Sequence, residues 1–229
     1  MIGIIGAMEP EVSGLIELLE DTKTHLISGI NFVTGKYTGN DIVIAKCGIG
    51  KVFASMCAEA MILKFSPDII INTGVAGGVK KGLEIGDIAV ALDVVQHDMD
   101  TTAFGDPKGY LSGLDIVNVP CDEKLSKLML NAAQNCGINA MAGTLATGDQ
   151  FCAKGSDALD ELRNTFSPLT TDMEGGAIGQ VCYVNKIPFV VIRALSDHAD
   201  DNAEEDYSKN LSKACASSVS VTSEFLKLY

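Results

Sequence analysis

Ile187-Pro-Phe-Val-Val-Ile192 runs directly into Arg193-Ala-Leu-Ser196-Asp197-His198, and this stretch sets the expectation for the fold. A continuous aliphatic run without polar alternation reads as a strand buried on both faces, the kind found in parallel sheets. Helices must then cover both faces, which makes the chain α/β. The same stretch puts an arginine and an aspartate at the end of a buried strand. Desolvated charge is tolerated only when it is paired or engaged with a ligand. Arg193 is one of two arginines in 229 residues, the other being Arg163. Two readings stand at this point: an internal Arg193–Asp197 ion pair that closes the strand, or part of a binding site.

Working outward, other segments repeat the pattern. Ile2 to Ile5 reads as a first strand, followed by helical spacing from Glu9 to Leu19. Ile30 to Tyr37 and Asp41 to Cys47 read as strands joined by the Thr38-Gly-Asn-Asp41 turn, a hairpin signal. Val52 to Phe65 has a helical apolar face. Ile69 to Asn72 is a second buried strand that ends in the glycine-rich turn Thr73-Gly-Val-Ala-Gly-Gly78. Ile85 to Val95 is strand-like, and Asp98 to Ser112 is an aperiodic surface loop carrying Phe104. Asp122 is placed to N-cap a helix that reaches Gly137, a fitting residue just past its end. Strands follow at Ala140–Thr147 and Leu169–Met173, and helices at Asp157–Phe166, Glu174–Val184 and, at the C-terminus, around Tyr207, Leu211, Cys215, Val219 and Phe225. Alternating strands and helices without linker or repeat predict one three-layer α/β domain over residues 1–229, its central mixed β-sheet flanked by helices. The early hairpin argues against a purely doubly wound sheet.

Composition narrows the function classes. A hydrophobic content of 47% supplies a full core. Net charge is −13 with no lysine- or arginine-rich stretch, which argues against nucleic acid and membrane surfaces as partners. No apolar segment approaches the roughly 18 residues of a membrane span, and the N-terminus lacks the basic region of a signal peptide. Seven cysteines, an odd number set mostly in apolar segments and without a CxxC, read as reduced core residues of a cytoplasmic protein.

In open α/β sheets, ligands bind beyond the carboxyl ends of the strands. Five segments read as strand exits carry polar or glycine-rich residues: Gly6-Ala-Met-Glu9-Pro-Glu11, Thr73–Gly78, Gly148-Asp-Gln-Phe151, Asp172-Met-Glu174-Gly-Gly176 and Arg193–Asp197. Each has a plain structural explanation when taken alone. Glu9 and Glu11 suit a helix N-terminus, Thr73–Gly78 a tight turn, and Asp172 and Glu174 a helix cap; their coincidence at one end of a sheet marks a site. Gly48-Ile-Gly-Lys51 lacks the upstream glycine and following Ser/Thr of a phosphate loop, and neither GxGxxG, GxSxG nor HExxH occurs. With histidines only at 25, 97 and 198, a metal site is disfavoured, and His97-Asp-Met-Asp100 reads as a solvated loop face. The remaining set is acidic, Glu11, Asp172, Glu174 and Asp197, with Arg193 as its cation and Phe151 available for stacking. Carboxylates accept vicinal sugar hydroxyls, activate water and protonate leaving bases. An anionic pocket also favours an oxocarbenium-like transition state, whereas phosphate calls for more cations.

At these residues the chain resembles the 5′-methylthioadenosine/S-adenosylhomocysteine nucleosidase family of the nucleoside phosphorylase-like superfamily. The resemblance runs nearly end to end: Gly3-Ile-Ile-Gly-Ala-Met-Glu9, Gly48-Ile-Gly-Lys-Val52, Ile70-Ile-Asn-Thr-Gly74 with Ala76-Gly-Gly78, His97-Asp98, Thr102-Ala-Phe-Gly105, Gly148-Asp149, Asp172-Met-Glu174, and Pro188-Phe-Val-Val191 through Arg193-Ala-Leu-Ser-Asp197. It implies a homodimer that hydrolyses the N-glycosidic bond of adenosine thioethers, and of 5′-deoxyadenosine, without metal or organic cofactor, in methionine salvage and methyl-cycle recycling. Glu11 would activate water with help from Arg193, and Asp197 would bind adenine and act as general acid. Glu174 and the Met173 backbone would hold the ribose, with Asp172, Ala76, Gly77 and Ser196 lining the site. Phe151 would stack on the base and the Cys152 backbone would read its edge. Met8, Ile49, Tyr207 and Phe104 of the partner subunit would enclose the ribose and alkylthio group. Three departures stand out: Val75 where the family commonly has serine, Asp172 for the usual glutamate, and Pro10 within the acidic turn.

Overall fold

Phe189–Asp197, most of the Ile187–Asp197 stretch, is a single strand in a computed structural model that describes residues 1–152, 157–199 and 203–229. The first half of the chain forms β1 (Ile2–Gly6), α1 (Glu9–Ile16), β2 (Glu20–Ile27), β3 (Ile30–Tyr37), β4 (Asn40–Lys46), α2 (Lys51–Phe65), β5 (Ile69–Gly78) and β6 (Ile88–Gln96). The second half forms β7 (Val119–Pro120), α3 (Glu123–Asn135), β8 (Ala140–Thr147), α4 (Asp157–Phe166), β9 (Thr170–Asp172), α5 (Gly175–Asn185), β10 (Phe189–Asp197) and α6 (Ala203–Leu228). Among the described residues, no helix is long and apolar enough to cross a membrane.

The strands form one mixed sheet in the order β10-β6-β8-β9-β5-β1-β4-β3-β2, with β7 on β6 and a further β10–β5 pairing. That pairing closes β5, β10, β6, β8 and β9 into a ring, from which β1, β4, β3 and β2 extend as an open arm. Successive side chains of a strand point to opposite faces, and this explains the unbroken apolar runs. Ile2, Ile4, Ile69, Ile71, Val190 and Ile192 pack with Val12, Met129 and Phe225 of α1, α3 and α6. Ile5, Ile70, Phe189 and Val191 pack on the other face with Cys57, Met61, Ile178 and Cys182 of α2 and α5. The chain is therefore α/β, with a central mixed sheet between two helical layers.

Local signals act as expected at several boundaries. Thr38 and Gly39, at φ 49° and 84°, make the β3–β4 turn, and positive φ at both central residues matches the twist of a hairpin. Asp122 Oδ1 accepts from the backbone N–H groups of Lys124 and Leu125, at 2.9 and 3.0 Å, and so caps α3.

The structure departs from the sequence reading at several points. β2 was not foreseen: it is exposed along most of its length, so no apolar alternation marks it. Thr73–Gly78 is not a turn, because β5 continues through it, paired with β10 as far as Gly77 and with β9 at Gly77 and Gly78. Arg193 is not at a strand exit but inside β10, which runs on to Asp197. The sheet is mixed, as expected, and residues of all five site segments meet at one cavity. The ring contains two antiparallel joints, β5–β9 and β6–β10, and Thr171 of β9 is registered with Gly77, so β9 runs back along β5 and delivers Asp172 to the site.

This topology opens a gap in the sheet. β10 covers one edge of β5 from Ile70 to Gly77, while on the other edge β1 pairs with Ile69–Asn72 and β9 with Gly77–Gly78. Between them, Thr73–Ala76 has backbone groups free of any strand partner on that edge. Glycine is needed here because side chains lean over the backbone. A Cβ at Gly74 would lie 2.7 Å from Glu11 Oε1, and one at Gly77 3.0 Å from Asp197 Oδ1.

A Gly74→Ala substitution is expected to lower the unfolding free energy by about 1–3 kcal/mol, the usual cost of overpacking a filled site. Gly113→Ala, where a new Cβ meets no atom within 4 Å, serves as the comparison and is expected to be close to neutral. Urea denaturation checks this, and equal stability of the two variants would contradict it.

Candidate active site

A cavity of about 300 Å³ occupies the gap where β1 and β9 diverge from β5. Ala7, Met8 and Glu11 reach it from the end of β1 and the start of α1, Val75–Gly77 from β5, and Thr171–Glu174 from β9 and beyond. Ser196 and Asp197 end β10, Gln150–Cys152 follow β8, and Ile49 and Tyr207 complete the lining.

Glu11 is buried, and among the described residues the hydrogen bonds to its carboxylate all come from backbone N–H groups. Oε2 accepts from Ala7 and Met8 at 2.7 and 2.8 Å, and Oε1 accepts from Val75 at 3.0 Å, the free-edge donor of β5. Part of the helix-end reading is thus correct, since the Met8 bond is the one that an acidic residue three positions into a helix makes to its N-cap. The Val75 bond exceeds that role and ties Glu11 across 64 residues to the sheet. Burial raises its proton affinity, opposed by nearby Arg193 and the three N–H donors.

Asp197 owes its position to an irregularity. Leu195 is registered with Ala76 and Asp197 with Gly77, so Ser196 is an extra residue, and such bulges re-aim the side chains beside them. Ser196 Oγ donates to Asp197 Oδ2 at 2.9 Å, and the Ala199 N–H donates to Oδ1 at 2.9 Å. Burial raises the Asp197 proton affinity against these bonds and the charge of His198.

Arg193 lies behind the cavity and does not line it. Its side chain is 1% exposed and pairs not with Asp197 but with Asp172, Nη2 to Oδ2 at 2.8 Å. Nη2 also donates to Asn72 Oδ1 at 2.6 Å, and Nη1 donates to the Ile192 and Asn72 carbonyls at 2.9 and 3.3 Å. The Asp172 contact is an ion pair without hydrogen-bond alignment, and among the described residues Asp172 Oδ2 and Arg193 Nε have no hydrogen-bond partner. Asp172 Oδ1 caps α5, accepting from the Glu174 and Gly175 N–H groups and from Thr147 Oγ1. Thr147 Oγ1 in turn accepts from Gly176 at 2.6 Å. Glu174 is left free to face the cavity, where Oε1 accepts from Gly50 N–H at 2.9 Å. Burial, then the charge of Asp172, push Glu174 up to about 7, against Arg193 and the Gly50 N–H.

The apolar side of the cavity is Met8, Ile49, Phe151 and Tyr207. Phe151 and Tyr207 meet edge to face with centroids 5.8 Å apart, and Tyr207 OH donates to Met8 Sδ at 3.2 Å. Phe104 is not brought to the cavity within this chain; it stands 88% exposed on a 3-10 turn, Thr102–Phe104. His97 is buried rather than solvated, its ring set over Gly148, where a Cβ would meet Nε2. Asp98 pairs with Lys51 at 2.6 Å and accepts from Asp149 N–H at 2.9 Å, which pins the segments that carry Ile49 and Phe151.

Several contributors were not read from the sequence. Asn72 had a usable signal, a lone amide closing the run Ile69-Ile-Ile. Thr147 had none, and the Ala7, Val75 and Gly50 N–H groups cannot have one, because backbone donors are common to nearly every residue. Chemically, the site gathers buried acids over an apolar shelf. The donors that would cradle a bound anion are already taken: Ala7, Met8 and Val75 by Glu11, Glu174 and Gly175 by Asp172, and Gly50 by Glu174.

Comparison with known proteins accords with this geometry. A family model described as the phosphorylase superfamily matches residues 1–227. A 5′-methylthioadenosine/S-adenosylhomocysteine nucleosidase from Shewanella loihica is 42% identical over 214 residues, 93% of each chain. The solved nucleosidase of that name from Neisseria meningitidis, in complex with methylthio-immucillin-A, superposes with a TM-score of 0.96 at 34% identity, covering 100% of this chain and 99% of that one. The futalosine hydrolase of Helicobacter pylori superposes with a TM-score of 0.95 at 31% identity, covering 100% and 97%. Matched along its whole fold and across its acid-lined cavity, this chain belongs to the phosphorylase superfamily and, within it, to the 5′-methylthioadenosine/S-adenosylhomocysteine nucleosidase family.

Proposed function

We propose that this protein hydrolyses the N-glycosidic bond of 5′-methylthioadenosine and S-adenosylhomocysteine, and of 5′-deoxyadenosine, releasing adenine and the corresponding thioribose or deoxyribose. The observation that carries the reading is the cavity itself: carboxylates occupy its backbone donors and its nearest cation is tied to Asp172. Such a site stabilises a cationic sugar in the transition state and offers little to a phosphate nucleophile.

In this reading Glu11 takes the proton of the attacking water. Its three N–H bonds hold it still, and burial raises its proton affinity, which strengthens it as a base. Asp197 delivers a proton to the departing adenine, a poor leaving group as an anion; burial raises its affinity toward that task. Glu174 and the Met173 backbone hold the ribose hydroxyls, while Asp172, Ala76, Gly77 and Ser196 shape the wall. Phe151 stacks on the base and the Cys152 backbone reads its edge, with Met8, Ile49 and Tyr207 around the 5′ group. Arg193 acts on the water through the charge it sets beside Glu11. Residues 1–229 act as one nucleosidase domain in a cytoplasmic homodimer. Exposed Phe104, Val52 and Phe53 are apolar surface that a partner subunit would cover, and Phe104 of the partner subunit then closes the pocket.

A second substrate, an aminofutalosine-type adenine nucleoside, is favoured by the match to the futalosine hydrolase, and apolar 5′ walls discriminate weakly. One experiment separates these readings. The protein is incubated with methylthioadenosine, adenosylhomocysteine, 5′-deoxyadenosine, aminodeoxyfutalosine and inosine, with and without phosphate. Adenine release from the thioethers without phosphate is expected, and a sugar 1-phosphate as main product would overturn the hydrolase.

An Asp197→Asn enzyme is expected to lose about 10²–10⁴-fold in kcat with little change in KM, because asparagine keeps a hydrogen bond to adenine but brings no acidic proton. Steady-state kinetics check this, and a near-normal kcat with a weakened KM would make Asp197 a binding residue only. Glu174 generates a stability prediction. Its folded value of about 7 lies above the ordinary 4.5, so between these limits the folded state holds a proton that the unfolded chain releases. Stability from this group is therefore full below about 4.5 and falls as pH rises toward about 7. Glu11 and Asp197 act in the same direction, so Glu174→Gln should flatten that fall without abolishing it. Melting curves across the range test this, and an unchanged slope would contradict it.

A further inference from the structure

Asp172 borders the cavity, yet its oxygens are spent inside the protein. Oδ1 accepts from Glu174 N–H at 3.3 Å, Gly175 N–H at 3.2 Å and Thr147 Oγ1, and Oδ2 faces Arg193 Nη2 at 2.8 Å. The residue is 6% exposed, and its neighbourhood is full: a Cβ at Gly175 would sit 2.6 Å from Asp172 Oδ2. Glu174, the N-cap of α5 by position, makes no side-chain cap bond. The cap has moved two residues back along the chain, and the carboxylate that would ordinarily supply it is released toward the cavity and Gly50.

We infer that Asp172 is a positioning residue and not a substrate ligand: it caps α5 and anchors Arg193, and thereby presents Glu174 to the cavity. The kinetic part of its test rests on the nucleosidase reading above. The groups facing Glu174 are Asp172 beside it, Arg193 of β10, Glu11 of α1 and the Gly50 N–H ahead of α2. Asp172 acts on Glu174 twice. Its own charge repels the second carboxylate, and its contact with Arg193 draws the guanidinium to itself. Both effects make Glu174 hold its proton more tightly.

Asp172→Asn separates the cap from the charge, because an amide oxygen still accepts from the Glu174 and Gly175 N–H groups. Arg193 keeps Glu11 and Glu174 as counter-charges. The acidic limb of kcat/KM for methylthioadenosine is expected to move to lower pH by about half a unit or more, and Asp172→Glu, which restores the charge, is expected to bring it back. An unmoved limb with a raised KM would overturn the inference, since that pattern marks a lost substrate contact. A second measurement needs no turnover. The decline in melting midpoint between about pH 4.5 and 7 should be shallower in Asp172→Asn than in wild type, and equal slopes would also overturn the inference. Should Asp172→Asn not melt cooperatively, Asp172→Glu decides alone: a wild-type slope supports the role and a changed slope refutes it. Wild-type protein that releases no adenine from methylthioadenosine would remove the nucleosidase reading, and the melting comparison would still judge Asp172.

Discussion

Everything distinctive about this site depends on one buried guanidinium shared among too many carboxylates. Arg193, 1% exposed, touches Asp172 and acts on Glu11 and Glu174, while Asp197 is held by hydrogen-bond donors, with His198 and Asp206 acting on its charge. Burial of an ionised carboxylate costs far more than a single shared cation can return. The protein therefore answers in two ways. It aims backbone N–H groups at the oxygens, and it leaves buried carboxyls with a raised proton affinity, Glu174 up to about 7. Both answers serve catalysis of glycoside cleavage, which needs a base, an acid and a negative environment within one small dry volume.

The sheet topology makes this arrangement possible. A carboxylate can accept a strand N–H only where the strand lacks a neighbour, and β5 has such a stretch because its pairing with β1 stops at Asn72 and its pairing with β9 begins at Gly77. Closing β5, β10, β6, β8 and β9 into a ring turns β9 back along β5 and sets Asp172 and Glu174 against Glu11. Gly74, Gly77 and Gly175 keep the backbone bare wherever a carboxylate leans on it. Packing and chemistry are thus one problem here: Gly74 and Gly77, which read as part of a tight turn, lie where a Cβ would come within 3.0 Å of a site carboxylate.

Much of this was legible in the sequence, for identifiable reasons. The runs at Ile69–Asn72 and Ile187–Ile192 are apolar on both faces because helices cover both, and no other element type explains them at that length. Asp122 and the Thr38-Gly39 turn announce themselves through local hydrogen bonding and φ, which depend on few neighbours. Glu11, Glu174 and Asp197 stand out because carboxylates beside apolar strands need a reason. The remainder depends on contacts far apart in sequence. The Arg193–Asp172 pair joins two segments whose adjacency only the ring creates, so the nearer Asp197 looked the natural partner. Strand β2 carries no pattern because neither of its faces is buried for most of its length. Asn72 and Thr147 matter for where their one polar group points, and a sequence does not record that.

The central claim, that burial raises the proton affinity of the carboxyls in the empty site, is open to direct observation. Side-chain carboxyl carbons of glutamate and aspartate, labelled with carbon-13, can be followed by NMR in the ligand-free protein from pH 4 to 9. The resonances of Glu11, Glu174 and Asp197 would be assigned by single substitution. The account predicts that all three titrate above the ordinary carboxylate range, with Glu174 near 7. Ordinary values at all three, with every carboxyl ionised by pH 5, would contradict it.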